Sequence, residues 1–349
     1  MSAESESRCL TSITPTSSIC TVIPMNSIMS KTGGNMERVE KIPVPVIATF
    51  LSFLTMGNVY GGLGFSWLRY LIMVCGTVFI ICYIIKIIRY PGTCRQEYEQ
   101  TIPASLYGAF SMVLMVLGSF YFEMGWGFGR IIWFIAVLIH CVHIIVFTVK
   151  HTFGKVILKK DPVNMMPSWF VTYNGWMVAC VTGGKMNAAP ILQVITVYGC
   201  IIYILLLPFM LRRLVKVEIK SAAYHTMAVL LAPCSLCVVS LINVYESPNR
   251  ALLTFMYICV LASLAFILFK LPDFFSFRFY PGFAGLTFPM AIGVVASQKM
   301  AGALTAAGKE GLANAVTQLS GLQIFVTTML VGYVMLMFLR MLLKKQERQ

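Results

Sequence analysis

Charged side chains are scarce in this chain of 349 residues. Asp, Glu, Lys and Arg together make up 11% of the sequence, whereas a soluble domain carries roughly 25%. Hydrophobic residues make up 58%, which leaves too few polar side chains to cover a water-exposed surface. The shortage excludes a soluble globular protein and indicates that lipid contacts most of the outer surface.

Acidic residues are missing from the middle of every long apolar run, although the chain contains 13 of them. Proton-coupled pumps and cation pathways usually keep a carboxylate at that depth. Lys and Arg are also missing there. A pathway through these runs would be lined by apolar and small polar groups, which do not attract cations. Helix N-termini and basic rims would instead favour anions.

Signals for catalysis, metal binding and nucleic-acid binding are also missing. The sequence contains no GxSxG, HExxH or Walker-type phosphate loop. Cys234 and Cys237 form a CxxC without a second ligand pair, and His140 and His143 share a helix face without a recognisable ligand pattern. The net charge of +14 is spread in short clusters between apolar runs rather than gathered on a soluble face. We therefore expect no enzyme, no cofactor, no metal site and no nucleic-acid partner.

Ten apolar stretches are long enough to cross a bilayer, each needing about 20 residues. They predict an all-α integral membrane protein. The stretch at 167–183 is the weakest, because it contains Thr172, Tyr173 and Asn174. The predicted spans are 43–65, 68–88, 104–122, 130–149, 167–183, 190–211, 222–244, 250–270, 280–298 and 316–339.

The first 41 residues differ from the rest of the chain. They are rich in Ser and Thr and contain no apolar run of helix length, which predicts a disordered polar tail rather than a cleaved signal peptide. Because Met36 precedes a charged stretch and the first apolar run, we expect residues 1–35 to be dispensable. Residues 42–340 then form the transmembrane domain, and residues 341–349 form a basic cytoplasmic tail.

The basic residues test the helix count independently. With the N-terminus inside, 21 of the 27 Lys and Arg residues fall in inside segments, as the positive-inside rule requires. Adding or losing one helix would destroy the alternation. We therefore predict a multi-pass plasma-membrane protein with ten helices and both termini cytoplasmic. The six basic residues of the outside loops are Arg69, Arg130, Lys185, Arg250, Lys299 and Lys309.

Proline lies in or at the start of each odd-numbered predicted helix, and among the even-numbered ones only the sixth contains it, at Pro208. A proline frees a backbone carbonyl, which is better tolerated where a helix packs in protein or lines a wet cavity. This favours odd helices facing a central axis, as in five helical hairpins. The alternative is that Pro and Gly are simply common in membrane helices. The candidate pore-lining and kink residues are Pro45, Gly57, Pro103, Pro167, Asn174, Pro233, Phe283, Thr287 and Pro289.

The stretch at 274–297 combines seven aromatic residues with glycines and a proline. Phe288 directly precedes Pro289, where a helix is expected to kink. A ring at such a kink, on a helix that faces the axis, would plug a narrow pore. The alternative is core packing, the usual role of aromatics at helical spacing.

Three short motifs give the sequence its resemblance to a known family. The ninth predicted helix reads LTFPMA over 286–291, the seventh reads LAP over 231–233, and Arg-Tyr-Pro follows the second helix at 89–91. The first helix carries Pro45, Phe50 and Gly57 in a similar pattern with shifted spacing. With the helix count and proline placement, these motifs resemble the tellurite-resistance/dicarboxylate transporter family, which includes the plant guard-cell slow anion channels.

The resemblance covers residues 42–340 and implies a fold, a mechanism and a substrate class. It implies five tandem hairpins whose odd helices line a pore, a homotrimer in which each protomer has its own pore, and a gate that maps onto Phe288. It also implies small-anion substrates: chloride, nitrate, malate, sulfite or tellurite-related anions. The chain departs from the family in its long polar N-terminus, its many cysteines, and Thr287 where the family has Ser.

Two classes of function follow from the sequence. The first is an anion channel or carrier, surrounded by membrane lipid. The alternative is a non-transporting membrane protein, either a membrane-embedded enzyme or a sensor. An enzyme needs converging titratable groups at one depth, and a sensor needs a soluble output domain. The sequence shows neither. The choice between a channel and a proton-coupled carrier stays open.

Overall fold

A computed structural model describes residues 38–158, 164–217, 219 and 221–343. Most of the predicted polar tail and basic C-terminal tail therefore lie outside the described residues. The elements below belong to one compact unit that begins at Val39. The described part is helical and contains no strand, so the all-α prediction is confirmed.

The first half of the unit contains six α-helices, the last of which continues as a π-helix over Thr148–Ile157. Short helices α3 and α4 precede α5, so the third predicted span is interrupted. In chain order the helices are α1 (Pro45–Gly62), α2 (Ser66–Arg89), α3 (Pro91–Glu99), α4 (Thr101–Leu106), α5 (Gly108–Glu123) and α6 (Phe128–Phe147).

The second half contains seven more α-helices, and three short 3₁₀ segments interrupt or precede them. The weakest predicted span is helical but broken into short pieces. In chain order the elements are α7 (Trp169–Tyr173), a 3₁₀ turn (Gly175–Met177), α8 (Val178–Thr182), α9 (Ala189–Lys216), a 3₁₀ segment (Ser221–Leu230), α10 (Leu231–Val244), α11 (Arg250–Phe275), a 3₁₀ segment (Pro281–Leu286), α12 (Thr287–Ala306) and α13 (Glu310–Leu343).

Seven helical segments in the described part of the chain are long and apolar enough to cross a membrane. Two are mostly buried within the protein: 72% of Thr101–Glu123 and 78% of Ala223–Val244. The other five are only 28–39% buried, and large apolar side chains stand exposed on each. Lipid is the environment that such surfaces require. The chain is therefore a multi-pass membrane protein, while the count of ten spans stays a prediction.

Buried segments contact one another around a closed ring. Helix α1 packs on α5, α5 on α8, α8 on α10, α10 on α12, and α12 returns to α1. Each of these segments also packs on the exposed helix that follows it in the chain. The ring encloses an axis along which the segments of the odd-numbered predicted spans meet.

Prolines of the inner segments lie at helix starts. Pro45 is the first residue of α1, Pro233 and Pro289 are the third residues of α10 and α12, and Pro103 is the third residue of α4. Pro167 precedes α7. Proline is tolerated in the first turn because the N–H groups there have no partner within the helix. These prolines therefore lie at or before the first turns of α-helices, rather than bending the helices in their middle.

Candidate functional site

A cavity of about 590 Å³ opens at one end of the axis, and we call it the vestibule. Each segment of the inner ring contributes to its wall. The polar groups of that wall are small hydroxyls and amides, and its base is apolar. One polar residue from each segment is Thr55 of α1, Ser119 of α5, Thr182 of α8, Asn243 of α10 and Gln298 of α12.

The rim of the vestibule carries three basic side chains and one acidic side chain. Arg69 donates from Nε to Asn58 Oδ1 at 2.8 Å and from its guanidinium to Glu123 Oε2 at 2.7 Å. Lys185 and Lys299 are exposed, and neither belongs to an ion pair in the described ranges. Arg69 is therefore neutralised, whereas the two lysines leave the rim positive. Such a mouth raises the local concentration of anions.

Phe288 lies at the base of the vestibule and is 5% exposed. Phe288 also lines a second, much smaller cavity of about 20 Å³ on the axis. Space of that size holds about one water molecule. The wall of this small cavity is apolar and includes Leu106, Gly175, Val229 and Pro289. Phe288 thus lines both the wide vestibule and the small apolar cavity.

Three α-helices of the inner ring begin beside the small cavity. Helices α5, α10 and α12 begin at Gly108, Leu231 and Thr287, and residues on either side of these starts line the cavity. A helix N-terminus carries a partial positive charge. The residues directly before these three starts also have helical backbone angles, so none of the three exposes a free helix N-terminus to the cavity.

Gly285 and Gly175 allow the close approach of segments around the constriction. A Cβ atom at Gly285 would lie 2.8 Å from the backbone oxygen of His225. At Gly175 a Cβ would lie 2.9 Å from the Met112 sulfur and 3.0 Å from a His140 ring carbon. Both glycines line the small cavity, so its shape depends on the absence of their side chains.

Of the predicted site residues, Phe288 lines both axial cavities and Pro289 lines the smaller one. Phe283 is fully buried and its ring centroid lies 3.9 Å from that of His225. Buried Thr287 donates its hydroxyl to the Ala284 carbonyl at 2.8 Å. These two residues therefore pack and hydrogen-bond at the start of α12, and neither lines the two axial cavities.

The remaining candidates pack between elements, and their roles in the pathway stay predictions. Gly57 faces α2, where an added Cβ would lie 2.8 Å from Ile72. Asn174 donates from Nδ2 to the Gly199 carbonyl at 2.9 Å and so joins the α7–α8 segment to α9. The four other candidates lie at or before helix starts: Pro45, Pro103, Pro167 and Pro233.

Apart from Phe288, the residues that line the vestibule were not among the site residues predicted from the sequence. The basic outer-loop residues Arg69, Lys185 and Lys299 entered the sequence analysis only as topology signals. The hydroxyls and amides that face the vestibule are common residue types without a motif. A helical-wheel phase relative to Phe288 would have selected Ile292 and Val295 on α12, but the other walls belong to segments far away in the chain.

Histidines lie behind the cavity wall rather than on it. His140 contacts the Ser111 hydroxyl at 2.7 Å and the Thr172 carbonyl at 2.8 Å, so it joins three segments. His143 lies 3.2 Å from both the Tyr98 and the Thr172 hydroxyls. Among the residues that the structure describes, no three His, Cys, Asp or Glu side chains are placed to hold a metal ion.

Ion pairs fix the helix α3 at the end of the axis opposite the vestibule. The buried Lys86 ammonium donates to Glu97 Oε1 at 2.6 Å and to the Ile42 carbonyl at 2.7 Å. Lys150 donates to Glu99 at 2.7 Å, and this hydrogen bond holds the pKa of the exposed Glu99 carboxyl below its usual range. These pairs tie the connection between α2 and α4 to neighbouring elements.

Comparison with known families places the chain in one of them. Residues 42–342 match the family described as voltage-dependent anion channel, SLAC1. Since the match spans most of the chain, the protein belongs to this family of membrane anion channels and transporters, which is not an enzyme family. The resemblance to the slow anion channels is confirmed. A comparison with curated proteins gave no match.

Proposed function

We propose that this protein conducts small anions along the axis of the inner ring, through a pore that Phe288 closes. The single observation that supports the gate is the position of Phe288 between the vestibule and the small apolar cavity. We propose that the ring in that position interrupts the water-filled path. An ion must shed its hydration shell to enter an apolar constriction, which is costly in a low dielectric.

Charge along the proposed path favours anions. Lys185 and Lys299 line the rim, and neither forms an ion pair within the residues that the structure describes. The one carboxylate of the vestibule, Glu123, is paired with Arg69. We therefore propose monovalent anions such as chloride or nitrate and C4-dicarboxylates such as malate as substrates. Sulfite and tellurite-type oxyanions belong to the same chemical class.

The proposed assembly follows the family pattern. We propose ten spans arranged as five tandem hairpins, with both termini cytoplasmic, in a homotrimer at the plasma membrane. Each protomer then has its own gated pore. The closed ring of contacts from α1 through α5, α8, α10 and α12 supports one axis in each protomer.

Anion flux in proteoliposomes tests the proposal. The purified full chain is reconstituted, and flux is measured for chloride, nitrate, sulfite and malate, with and without a pH gradient. We expect reversal potentials that follow the anion gradient. A dependence on the pH gradient would identify a proton-coupled carrier. Reversal potentials that follow sodium or potassium, or no flux even from a Phe288→Ala variant, would contradict anion conduction.

A further inference from the structure

A second cleft, of about 640 Å³, lies beside the vestibule on the same end of the molecule. We call it the side cleft. It forms where the connection between α10 and α11 faces the last turns of α12. Gln298 and Lys299 of α12 line both the side cleft and the vestibule. The two cavities therefore share one wall, and a charge bound in the side cleft would act on the rim of the vestibule.

Basic side chains dominate the charge of the side cleft. Arg250, Lys299 and Lys309 line it, against the single carboxylate Glu246. All four are exposed, and none belongs to an ion pair within the described ranges. Among the residues that the structure describes, no carboxylate therefore neutralises these three cationic groups by direct contact.

Backbone hydrogen bonds fix the chain at two of these basic residues, Lys309 and Arg250. The chain turns at Gly308, whose φ is +72°, and the Lys309 N–H donates to the Leu304 carbonyl at 2.9 Å. Arg250 is the first residue of α11, and the Asn249 side chain caps that helix by accepting from the Leu252 N–H at 3.0 Å. The N-terminal end of α11 thus adds its partial positive charge to the cleft.

We propose that the side cleft binds a multivalent carboxylate and that binding lowers anion conduction through the adjoining pore. The volume lies within the range of about 300–1,000 Å³ typical of small-molecule sites. Three cations around one cleft match a ligand with two or three carboxylates rather than a single halide. Bound carboxylate offsets the charge of Lys299 and so removes part of the attraction that gathers permeating anions at the rim.

The effect on conduction rests on the proposed function, whereas the binding of a carboxylate in the side cleft does not. Citrate binding to the purified chain in detergent, measured by titration calorimetry, tests the site without any transport. We expect one citrate per protomer, weaker binding in Arg250→Gln and Lys309→Gln, and tighter binding in Glu246→Gln. Equal citrate binding in all of these variants and the parent would overturn the site, whatever the pore does.

Inhibition is tested in a planar bilayer, with each side perfused separately at matched ionic strength, using gluconate as the monovalent replacement. Citrate on the vestibule side should lower chloride current several-fold, and citrate on the opposite side should not. Arg250→Gln and Lys309→Gln should keep the basal current and lose most of the inhibition. Lys185→Gln, which changes the vestibule but not the side cleft, should lower the basal current and keep the inhibition by citrate.

Two results would overturn the coupling. Inhibition that persists unchanged in Lys309→Gln and Arg250→Gln would place the citrate inside the vestibule as a pore blocker. Normal citrate binding by calorimetry with no effect on current would leave a site that does not regulate the pore. If no variant conducts at all, including Phe288→Ala, the proposed function fails while the calorimetric result for the site stands.

Discussion

Substitution of Phe288 distinguishes two roles for this residue, a pore gate and a packed core side chain. A packed core phenylalanine costs roughly 3–5 kcal/mol when truncated to alanine. One side of the Phe288 ring faces a cavity instead of packed atoms, so we expect a smaller loss. Phe288→Ala should open a wetted path and raise basal anion flux on the order of tenfold or more, since a hydrophobic constriction gates by excluding water. The measurement is flux per correctly assembled protein.

Phe283 supplies the matched control for that experiment. It lies five residues earlier, is fully buried and stacks near His225. Phe283→Ala should lower the amount of folded protein and leave flux per folded protein unchanged. If Phe283→Ala releases conduction while Phe288→Ala assembles and stays closed, the gate is assigned to the wrong ring.

The two unpaired lysines of the rim give a second test at the residue scale. Lys185→Gln or Lys299→Gln should lower anion flux several-fold at about 0.01 M salt, where the Debye length is about 30 Å. The difference from the parent should shrink as salt approaches about 1 M, where that length falls to about 3 Å. Flux is compared across a salt series at a constant anion gradient.

Arg130 provides the control for the rim lysines. It is also a basic residue in a predicted outside loop, but it lies over the Phe134 ring at 5.7 Å and does not line the vestibule. Arg130→Gln should leave the salt dependence of flux unchanged. An equal loss of flux in Arg130→Gln and Lys299→Gln would indicate a general surface-charge effect rather than capture at the rim.

At the scale of elements, the break before α12 determines where the constriction forms. An added methyl at Gly285 would collide with the backbone of His225, and backbone cannot rotate away as a side chain can. We expect Gly285→Ala to destabilise the fold by roughly 1–3 kcal/mol, as overpacking does, and to change flux as the segments separate. Thermal unfolding in detergent and flux per folded protein are the two measurements.

Gly321 of α13 is the matched glycine for this comparison. An added Cβ there meets open space, so Gly321→Ala should be neutral or stabilising by roughly 0.5–1 kcal/mol through helix propensity. A Gly285→Ala variant as stable as Gly321→Ala would mean that the 3₁₀ segment and the neighbouring chain can move apart without cost. The constriction would then not depend on this contact.

Sequence patterns predicted these elements unevenly. Continuous apolar stretches located α2, α6, α9 and α11 within a few residues at their N-terminal ends, since lipid-facing helices are apolar along their length. The inner segments were harder, because their breaks depend on contacts between distant residues such as Gly285 and His225. Proline placement identified the inner segments but suggested kinks where the structure has helix starts.

The candidate site shows the same division. Phe288 was predicted as the gate from its neighbour Pro289 and from family resemblance, both of which rest on local features of the sequence, and its role as a gate stays a prediction. The vestibule wall was not identified, because it combines residues from segments that are far apart in the chain. Thr55 and Asn243 belong to different helices of the ring, and only the folded ring places them on one surface. A short sequence motif cannot predict a surface whose residues come from different helices.

At the scale of the whole molecule, the predicted membrane topology determines on which side of the membrane the vestibule lies. The positive-inside alternation places residues 151–158 in the cytoplasm and the vestibule rim outside. Leu158 and Gly184 are both exposed and lie at opposite ends of the axis in this arrangement.

A membrane-impermeant maleimide applied to intact cells should therefore label Gly184→Cys above the background of the native cysteines. Leu158→Cys should react only after the membrane is permeabilised. The opposite pattern would invert the molecule, and labelling of both variants in intact cells would rule out the ten-span count. The outcome also fixes the side of the membrane from which rim lysines gather anions, because the vestibule and Gly184 share one end of the protein.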